Sequence, residues 1–146
     1  MRIKVFVENE AHCNIKNLYN EKLLKYEGSE EVSRPYPFPY GFLLNTTSLD
    51  GDNLDCYILT DQFVNAREIV ECEPIGLMEQ IEDGKVDNNI LAALSGENAE
   101  VTDSIKRTLI DFILHVFDHI ENKSIQIGNF FGKKEALAHI KKCLDS

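Results

Sequence analysis

The chain has 146 residues, of which 43% are hydrophobic, and a formal net charge of −10 at pH 7. This length and apolar fraction predict one domain, over residues 1–146, with a core of ordinary size. The acidic balance argues against nucleic acid and anionic membranes as main partners, because both are polyanions. The sequence shows no signal peptide and no apolar stretch long enough to span a membrane, so we expect a cytoplasmic protein.

Strand-like patterns fill the first two thirds of the chain. Residues 2–8 alternate apolar and polar side chains, which predicts a half-buried strand, and the polar residues 9–20 predict a loop. Further strands are predicted over residues 22–27, 42–44, 55–60, 66–72, 74–78 and 90–94, with a polar turn over 28–34 and a break at Pro74. Alternating prolines from Pro35 to Pro39 keep that segment extended and out of any central strand. Short strands at this spacing predict a closed barrel.

The hydrophobic pattern changes period near residue 102. Apolar residues from Ile105 to Ile120 recur at helical spacing after Thr102, which is a typical N-cap. A brief strand is predicted over residues 124–127 and a second helix over residues 133–144. Strands first and helices last predict an α+β fold, a small closed β-barrel of OB-like type with two C-terminal helices packed outside.

Residues 50–55 form an acidic stretch between two predicted strands. Its carboxylates are Asp50, Asp52 and Asp55. Several hard oxygen donors beside apolar segments are costly unless a cation neutralises them. An EF-hand calcium loop is excluded, because Leu54 and Asp55 stand where that loop needs an oxygen ligand and a glycine. A magnesium–phosphate site, with Glu82 and Asp87 as further donors, and a solvated acidic turn remain as alternatives.

The sequence resembles the family I soluble inorganic pyrophosphatases in two blocks. The first block is Tyr40-Gly41-Phe42 followed by Thr47-Ser48-Leu49-Asp50-Gly51-Asp52-Asn53-Leu54-Asp55. The second block is Pro74-Ile75-Gly76 followed by the acidic residues 82–87. The resemblance implies an oligonucleotide/oligosaccharide-binding barrel that hydrolyses pyrophosphate to two phosphates with Mg²⁺. It also implies a homo-oligomer.

The resemblance further implies roles for individual residues. The implied metal ligands are Asp50, Asp52, Asp55, Glu82, Asp87 and Glu8. Asp52 would also help to deprotonate a water that bridges two metal ions, which acidify it enough to attack at neutral pH. Tyr40 would donate a hydrogen bond to a phosphate oxygen as a catalytic and phosphate-binding residue, and Lys16 would be the phosphate-binding lysine.

The cationic part of the family pattern is different in this chain. Asn89 replaces a lysine after the acidic loop, and Val116-Phe117 replaces a Tyr-Lys pair on the first C-terminal helix. No arginine lies on the strand before the prolines, and the candidates to replace it are Lys22, Lys25 and Arg34. Three hypotheses therefore stay open. They are a divergent pyrophosphatase that is slow or acts on another phosphoanhydride, a catalytically inactive binding or interaction protein, and an unrelated barrel with an accidental acidic loop.

Overall fold

Eight strands and two helices follow one another in the computed structural model, which describes residues 1–146. The strands are β1 (Ile3–Asn9), β2 (Ile15–Asn20), β3 (Lys25–Glu31), β4 (Tyr40–Leu43), β5 (Asp55–Ile58), β6 (Ile69–Glu82), β7 (Lys85–Leu94) and β8 (Ile125–Phe131). The helices are α1 (Asp103–His115) and α2 (Lys133–Cys143). The succession of strands and then helices confirms the predicted α+β class.

Five of the strands pair in a ring. β1 pairs with β4 on one side and with β6 on the other, and β5 and β7 complete the circuit. All of these pairs are antiparallel except β5–β7, which is parallel. β8 extends the sheet from β6, and β2 and β3 form a separate two-stranded sheet. This ring corresponds to the small barrel predicted from the strand spacing.

Each helix buries an apolar face against the strands. The first apolar cluster joins ring residues to Ala136 and Ile140 of α2. The second joins Leu109, Phe112 and Ile113 of α1 to other strand residues. The helices therefore pack outside the ring and close two separate parts of the core. Neither helix combines the length and apolar character that crossing a membrane requires.

The hairpin of β2 and β3 corrects two predictions. Residues 15–20 of the predicted loop form β2, and residues 28–31 of the predicted turn belong to β3. All side chains of both strands are exposed or half-buried, so they show no alternation between a buried and a solvent face. The strands are specified by their pairing with each other, from Ile15 opposite Glu31 to Asn20 opposite Lys25.

Other predicted boundaries are wrong for local reasons. β6 runs through Pro74 without a break, because a bulge between Pro74 and Gly76 accommodates the residue that lacks an N–H donor. β7 begins at Lys85 rather than at residue 90, in a more exposed stretch that pairs with the end of β6. α1 ends at His115, and the apolar residues from Val116 to Ile120 continue in turns rather than in helix.

The close approach of β4 to β1 positions the side chains of Glu8 and Tyr40. A Cβ atom on Gly41 would lie 1.9 Å from the carbonyl oxygen of Phe6, so any side chain there would clash. Val7 pairs with Gly41 and Asn9 pairs with Tyr40, which leaves Glu8 as an extra residue in the β1 ladder. A bulge of this kind redirects a side chain from the regular alternation of its strand. Glu8 and Tyr40 therefore come to line the same cavity.

Candidate active site

A cavity of about 370 Å³ lies between β1, the β2–β3 hairpin and the loop that precedes β5. Its acidic side chains are Glu8, Glu21, Glu27, Asp50, Asp52, Asp55 and Asp87. Lys16 is the one basic residue among the lining side chains, and Tyr40 is also among them. The cavity is therefore strongly negative, and its walls come from segments that are far apart in the sequence.

A smaller cavity of about 80 Å³ adjoins the first and shares Lys16, Tyr40, Asp55 and Asp87 with it. Its other lining residues include Glu82, Asn89, Val116 and Phe117. All eight site residues named from the sequence thus line one or the other cavity, seven of them the larger one and Glu82 the smaller one.

Three carboxylates converge most closely in the larger cavity. Oxygen atoms of Glu8, Glu21 and Asp55 all lie within 4.8 Å of one another. Glu8 is 5% exposed, and its carboxylate has no hydrogen-bond or ion-pair partner in the protein. Glu21 is held in place by a hydrogen bond of 3.0 Å that the backbone N–H of Asn53 donates to its Oε1. These groups repel one another unless protons or cations reduce their charge.

The pKa values of these carboxyl groups are raised because the groups are buried close together. Burial raises the pKa of Glu8 to about 8 and the pKa of Glu21 to about 7, and neighbouring carboxylates add to both shifts. Burial likewise raises the pKa of Asp87 to about 6 and holds the pKa of Asp55 well above its usual range. Without cations, the cavity therefore retains protons at pH values where an exposed carboxylate is ionised.

The loop before β5 holds its two exposed aspartates in a tight turn. Asp50 Oδ1 accepts hydrogen bonds from the backbone N–H of Asp52 at 2.9 Å and from Ser48 Oγ at 2.5 Å. Gly51 between them has a φ of +89°, a conformation that favours glycine. The second carboxylate oxygen of Asp50 and both carboxylate oxygens of Asp52 remain without protein partners, so they are free to bind ligands.

Tyr40 joins the acidic cavity to an aromatic cluster. Its ring centroid lies 5.4 Å from that of Tyr36 and 4.8 Å from that of Tyr57. Burial, reinforced by the charge of Asp55, raises the pKa of Tyr40 well above its usual value. The phenol therefore keeps its proton and remains a hydrogen-bond donor at the boundary of the two cavities.

Comparison with known proteins identifies the family. The model of the family described as inorganic pyrophosphatase matches residues 5–146. The chain belongs to the inorganic pyrophosphatase family. It is 30% identical to the inorganic pyrophosphatase of Saccharolobus solfataricus over an alignment of 155 positions. That alignment covers 98% of this chain and 90% of that protein.

Solved structures of inorganic pyrophosphatases have the same fold. The one from Neisseria gonorrhoeae is 27% identical and superposes with a TM-score of 0.86, covering 97% of this chain and 88% of the other. The one from Thermus thermophilus is 19% identical, with a TM-score of 0.87 over the same shares. Family membership confirms the resemblance noted in the sequence and excludes an unrelated barrel. The comparisons give no support to the inactive alternative.

Basic side chains are scarce around the cavities of this pyrophosphatase family member. Lys22 Nζ donates hydrogen bonds to Thr46 O and Thr47 Oγ1, at 2.7 and 2.8 Å. Arg34 lies 4.0 Å from Asp111 in an exposed pair, and Lys25 is exposed on β3. None of these three candidates for the missing arginine lines either cavity.

The sequence analysis missed the acidic cavity residues Glu27 and Glu21, and of these two Glu21 belongs to the converging carboxylates. It lies in the turn between β2 and β3, and that hairpin was predicted as separate loop and strand segments. A local signal is present at Asn20, whose Oδ1 accepts hydrogen bonds from the backbone N–H groups of Lys22 and Leu23. An asparagine that can bond to the backbone shortly after it is typical of a turn, and recognising it would have placed Glu21 at a hairpin tip.

Proposed function

We propose that this protein hydrolyses inorganic pyrophosphate to two phosphates with the help of Mg²⁺. The convergence of the Glu8, Glu21 and Asp55 carboxylates within 4.8 Å, in a cavity with further aspartates, is the observation that carries the metal dependence. Membership of the inorganic pyrophosphatase family supports the choice of pyrophosphate as the substrate.

The donor set suits a hard divalent cation. The side chains that converge in the cavity offer carboxylate oxygens, which Mg²⁺ prefers, and no cysteine or histidine lines the cavity. Glu8, which is 5% exposed and lies within 4.8 Å of the Glu21 and Asp55 carboxylates, fits a group that a cation completes. We assign metal binding to Glu8, Glu21, Asp50, Asp52, Asp55, Asp87 and Glu82. When bound, Mg²⁺ would lower the pKa of water and offset the negative charge of the phosphates.

The protein side chains have distinct tasks in this proposal. Asp52, whose carboxylate oxygens have no protein partner, accepts a proton from the attacking water. The water oxygen bonds to one phosphorus atom as the bond from that phosphorus to the bridging oxygen breaks, which releases the second phosphate. Tyr40 donates a hydrogen bond to a phosphate oxygen, and the Lys16 ammonium binds another phosphate oxygen and stabilises its charge.

Release of phosphate from pyrophosphate, measured with Mg²⁺, Mn²⁺ and Ca²⁺ in turn, tests the proposal. We expect hydrolysis that requires a divalent cation, with Asp52→Asn slowing it by about two to three orders of magnitude. Asp61→Asn, which changes an exposed aspartate outside both cavities, is the matched control and should hydrolyse at the wild-type rate. Equal rates for Asp52→Asn and wild type would contradict the role of Asp52, and no hydrolysis by wild type would contradict the function.

We also propose a cytoplasmic location, one domain over residues 1–146 and a homo-oligomer. The packing of both helices on the strands supports a single domain. The acidic composition supports a protein that is not bound to nucleic acid or membrane. Limited proteolysis, cell fractionation and light scattering of the purified protein test these three statements separately.

A further inference from the structure

The charge of the two cavities poses a problem for an anionic substrate. Lys16 is the one basic residue that lines them, among seven carboxylates in the larger cavity and Glu82 in the smaller. A diphosphate carries several negative charges on its two phosphate groups. Metal ions would neutralise the carboxylates as well as the substrate, so an additional protein cation near the cavities would favour binding of the anion.

Phe117 marks the place where a second cation lies. Its ring lines the smaller cavity together with Lys16. The Lys16 ammonium lies 5.3 Å from the centroid of this ring, and the Lys123 ammonium lies 4.6 Å from it. Both distances are within the range of cation–π attraction. Two lysines from opposite ends of the chain thus meet on one aromatic ring at the wall of the cavity.

Lys123 also contacts an acidic residue of the same cavity. Its Nζ lies 2.5 Å from Glu82 Oε1, and the two side chains are 24% and 29% exposed, respectively. A half-buried ammonium of this kind retains some contact with solvent while its position is restricted. Lys123 therefore contacts two residues that line the smaller cavity, Phe117 and Glu82, while part of its side chain is open to solvent.

The backbone places Lys123 at this position. It lies in the turn before β8, where the backbone N–H of Asp83 donates to Ser124 O at 2.8 Å and the backbone N–H of Ser124 donates to Asp83 Oδ1 at 3.0 Å. Asn122 has a φ of 63°, a left-handed conformation that asparagine tolerates better than most residues. The turn is thus fastened to the end of β6, next to Glu82.

We propose that Lys123 is a substrate-binding residue, whose ammonium, held at the Phe117 ring together with that of Lys16, binds a phosphate oxygen of the diphosphate. This inference rests on the proposed function, since it assumes a diphosphate substrate. Glu82 holds the Lys123 ammonium close to the cavity before the substrate binds. Phe117 keeps both ammonium groups at the wall by attraction to its ring face.

Loss of Lys123 should have different effects on the affinity for Mg²⁺ and on the affinity for a diphosphate. The Lys123 ammonium and a metal cation are both positively charged and both bind the Glu82 carboxylate, so they compete for it. Removing the Lys123 ammonium therefore leaves the affinity for Mg²⁺ alone unchanged or higher. The same change weakens binding of a diphosphate, because a positive charge beside the anion is lost. A purely structural role would not separate the two affinities in this way.

Calorimetric titration of the full chain with Mg²⁺ alone, and with methylenediphosphonate in the presence of Mg²⁺, tests the inference. We expect Lys123→Gln to bind the diphosphonate about 10- to 100-fold more weakly than wild type, as for loss of a hydrogen bond to a charged group. Lys123→Arg keeps the positive charge and should restore most of the affinity. Lys106→Gln is the matched control, because Lys106 also lies over an aromatic ring, 5.5 Å from the Phe130 centroid, and Phe130, unlike Phe117, lines neither acidic cavity.

Steady-state kinetics and thermal unfolding distinguish a loss of substrate binding from a loss of catalysis or of stability. We expect Lys123→Gln to raise KM for pyrophosphate more than it lowers kcat, with an unfolding midpoint close to that of wild type. Wild-type affinity of Lys123→Gln for the diphosphonate would overturn the inference while leaving the proposed hydrolysis intact. A parallel loss of Mg²⁺ affinity would overturn it as well, since Lys123 would then only support the site. Wild-type protein that neither hydrolyses pyrophosphate nor binds the probe would overturn both the inference and the function.

Discussion

The two walls of the adjoining cavities differ in charge and in whether their side chains have partners within the protein. One wall, which we call the acidic wall, consists of Glu8, Glu21, Asp50, Asp52 and Asp55. The carboxylates of Glu8, Glu21 and Asp55 lie within 4.8 Å of one another without a basic partner. The other wall, which we call the aromatic wall, belongs to the smaller cavity and consists of Phe117, Lys16, Glu82 and Asn89, with Lys123 in contact with Phe117 and Glu82. Its polar groups have partners within the protein: Lys123 forms an ion pair with Glu82, and Asn89 Nδ2 donates a hydrogen bond to Gln80 Oε1 at 3.1 Å.

This difference shows that the two walls depend on different partners. The acidic wall is unfavourable when fully ionised, because like charges are brought together out of water, and protons or cations from solution reduce that repulsion. The aromatic wall is satisfied within the protein and holds its ammonium groups ready for an anion. Changes to the first wall should therefore alter metal binding, and changes to the second should alter phosphate binding.

The largest effect is expected for Asp55→Asn on the acidic wall. We expect phosphate release to fall by about three orders of magnitude, because a proposed metal ligand and its charge are both lost. The metal-free variant should unfold at the same temperature as wild type or higher, because the substitution removes one of the carboxylates that repel one another. Activity assays and thermal unfolding of the metal-free protein measure the two quantities.

The control for this prediction is Asp111→Asn, which changes an exposed aspartate whose only ion pair is the long one with Arg34. It should change neither quantity. A large loss of stability in Asp55→Asn without metal would contradict the view that the acidic wall is strained by its own charge.

A smaller effect is expected for Glu21→Gln. The amide keeps a carbonyl oxygen that accepts from Asn53 N–H but lacks the negative charge, so the hairpin should stay in place while the metal site weakens. We expect the affinity for Mg²⁺ to fall about tenfold, at the lower end of the losses seen when groups that support a metal site are changed. Calorimetry with Mg²⁺ alone measures the affinity.

Glu31→Gln on the same hairpin is the matched control, since Glu31 is exposed and lines neither cavity. Equal Mg²⁺ affinity in Glu21→Gln and Glu31→Gln would remove Glu21 from the acidic wall.

The stability of the metal-free protein should depend on pH in a defined direction. The pKa of Glu8 is raised from 4.5 to about 8, and that of Glu21 from 4.5 to about 7. Between these values the folded protein binds more protons than the unfolded chain, so the free energy of unfolding falls as the pH rises. The unfolding temperature of the metal-free protein should therefore decrease from pH 5 to pH 8, and saturating Mg²⁺ should reduce the decrease. A profile that is flat without metal would argue against the confinement of these carboxylates.

The smallest effect is expected outside both walls, at the start of α1. Thr102 Oγ1 accepts a hydrogen bond of 3.2 Å from the backbone N–H of Ile105. Thr102→Ala should lower the free energy of unfolding by about 1 kcal/mol, as for the loss of other N-cap side chains. KM and kcat for pyrophosphate should not change. A change in either constant would show that the helix start is coupled to the cavity, and denaturant unfolding with parallel assays would reveal it.

The acidic wall could be predicted largely from sequence because its residues form a compact pattern. The spacing of Asp50, Asp52 and Asp55 predicted a cation site with Glu82 and Asp87 as further donors, and the family resemblance added Glu8 and Tyr40. The ring of strands followed from short apolar segments and the late change to helical spacing. Local patterns of this kind identify buried strands and amphipathic helices well, because burial imposes the periodicity.

The positions of Lys123 and of Glu21 in the hairpin could not be predicted in the same way. Lys123 reaches Phe117 only because the turn before β8 is fastened to Asp83, and that contact depends on the pairing of β6 with β8. Glu21 lies between two strands whose side chains are mostly outside the core, so hydrophobic periodicity is absent there. Contacts that depend on sheet pairing between distant segments leave no periodic trace in the sequence.

The pairing of β1 with β6 also has a consequence for the synthesis of the chain. Ile3 lies opposite Cys72, so the first strand cannot complete its pairing until about half of the protein has been made. Contacts of such long sequence separation slow folding, because the intervening chain must be ordered before the contact forms. Nascent chains should therefore carry an unpaired β1 edge during translation until β6 has been made.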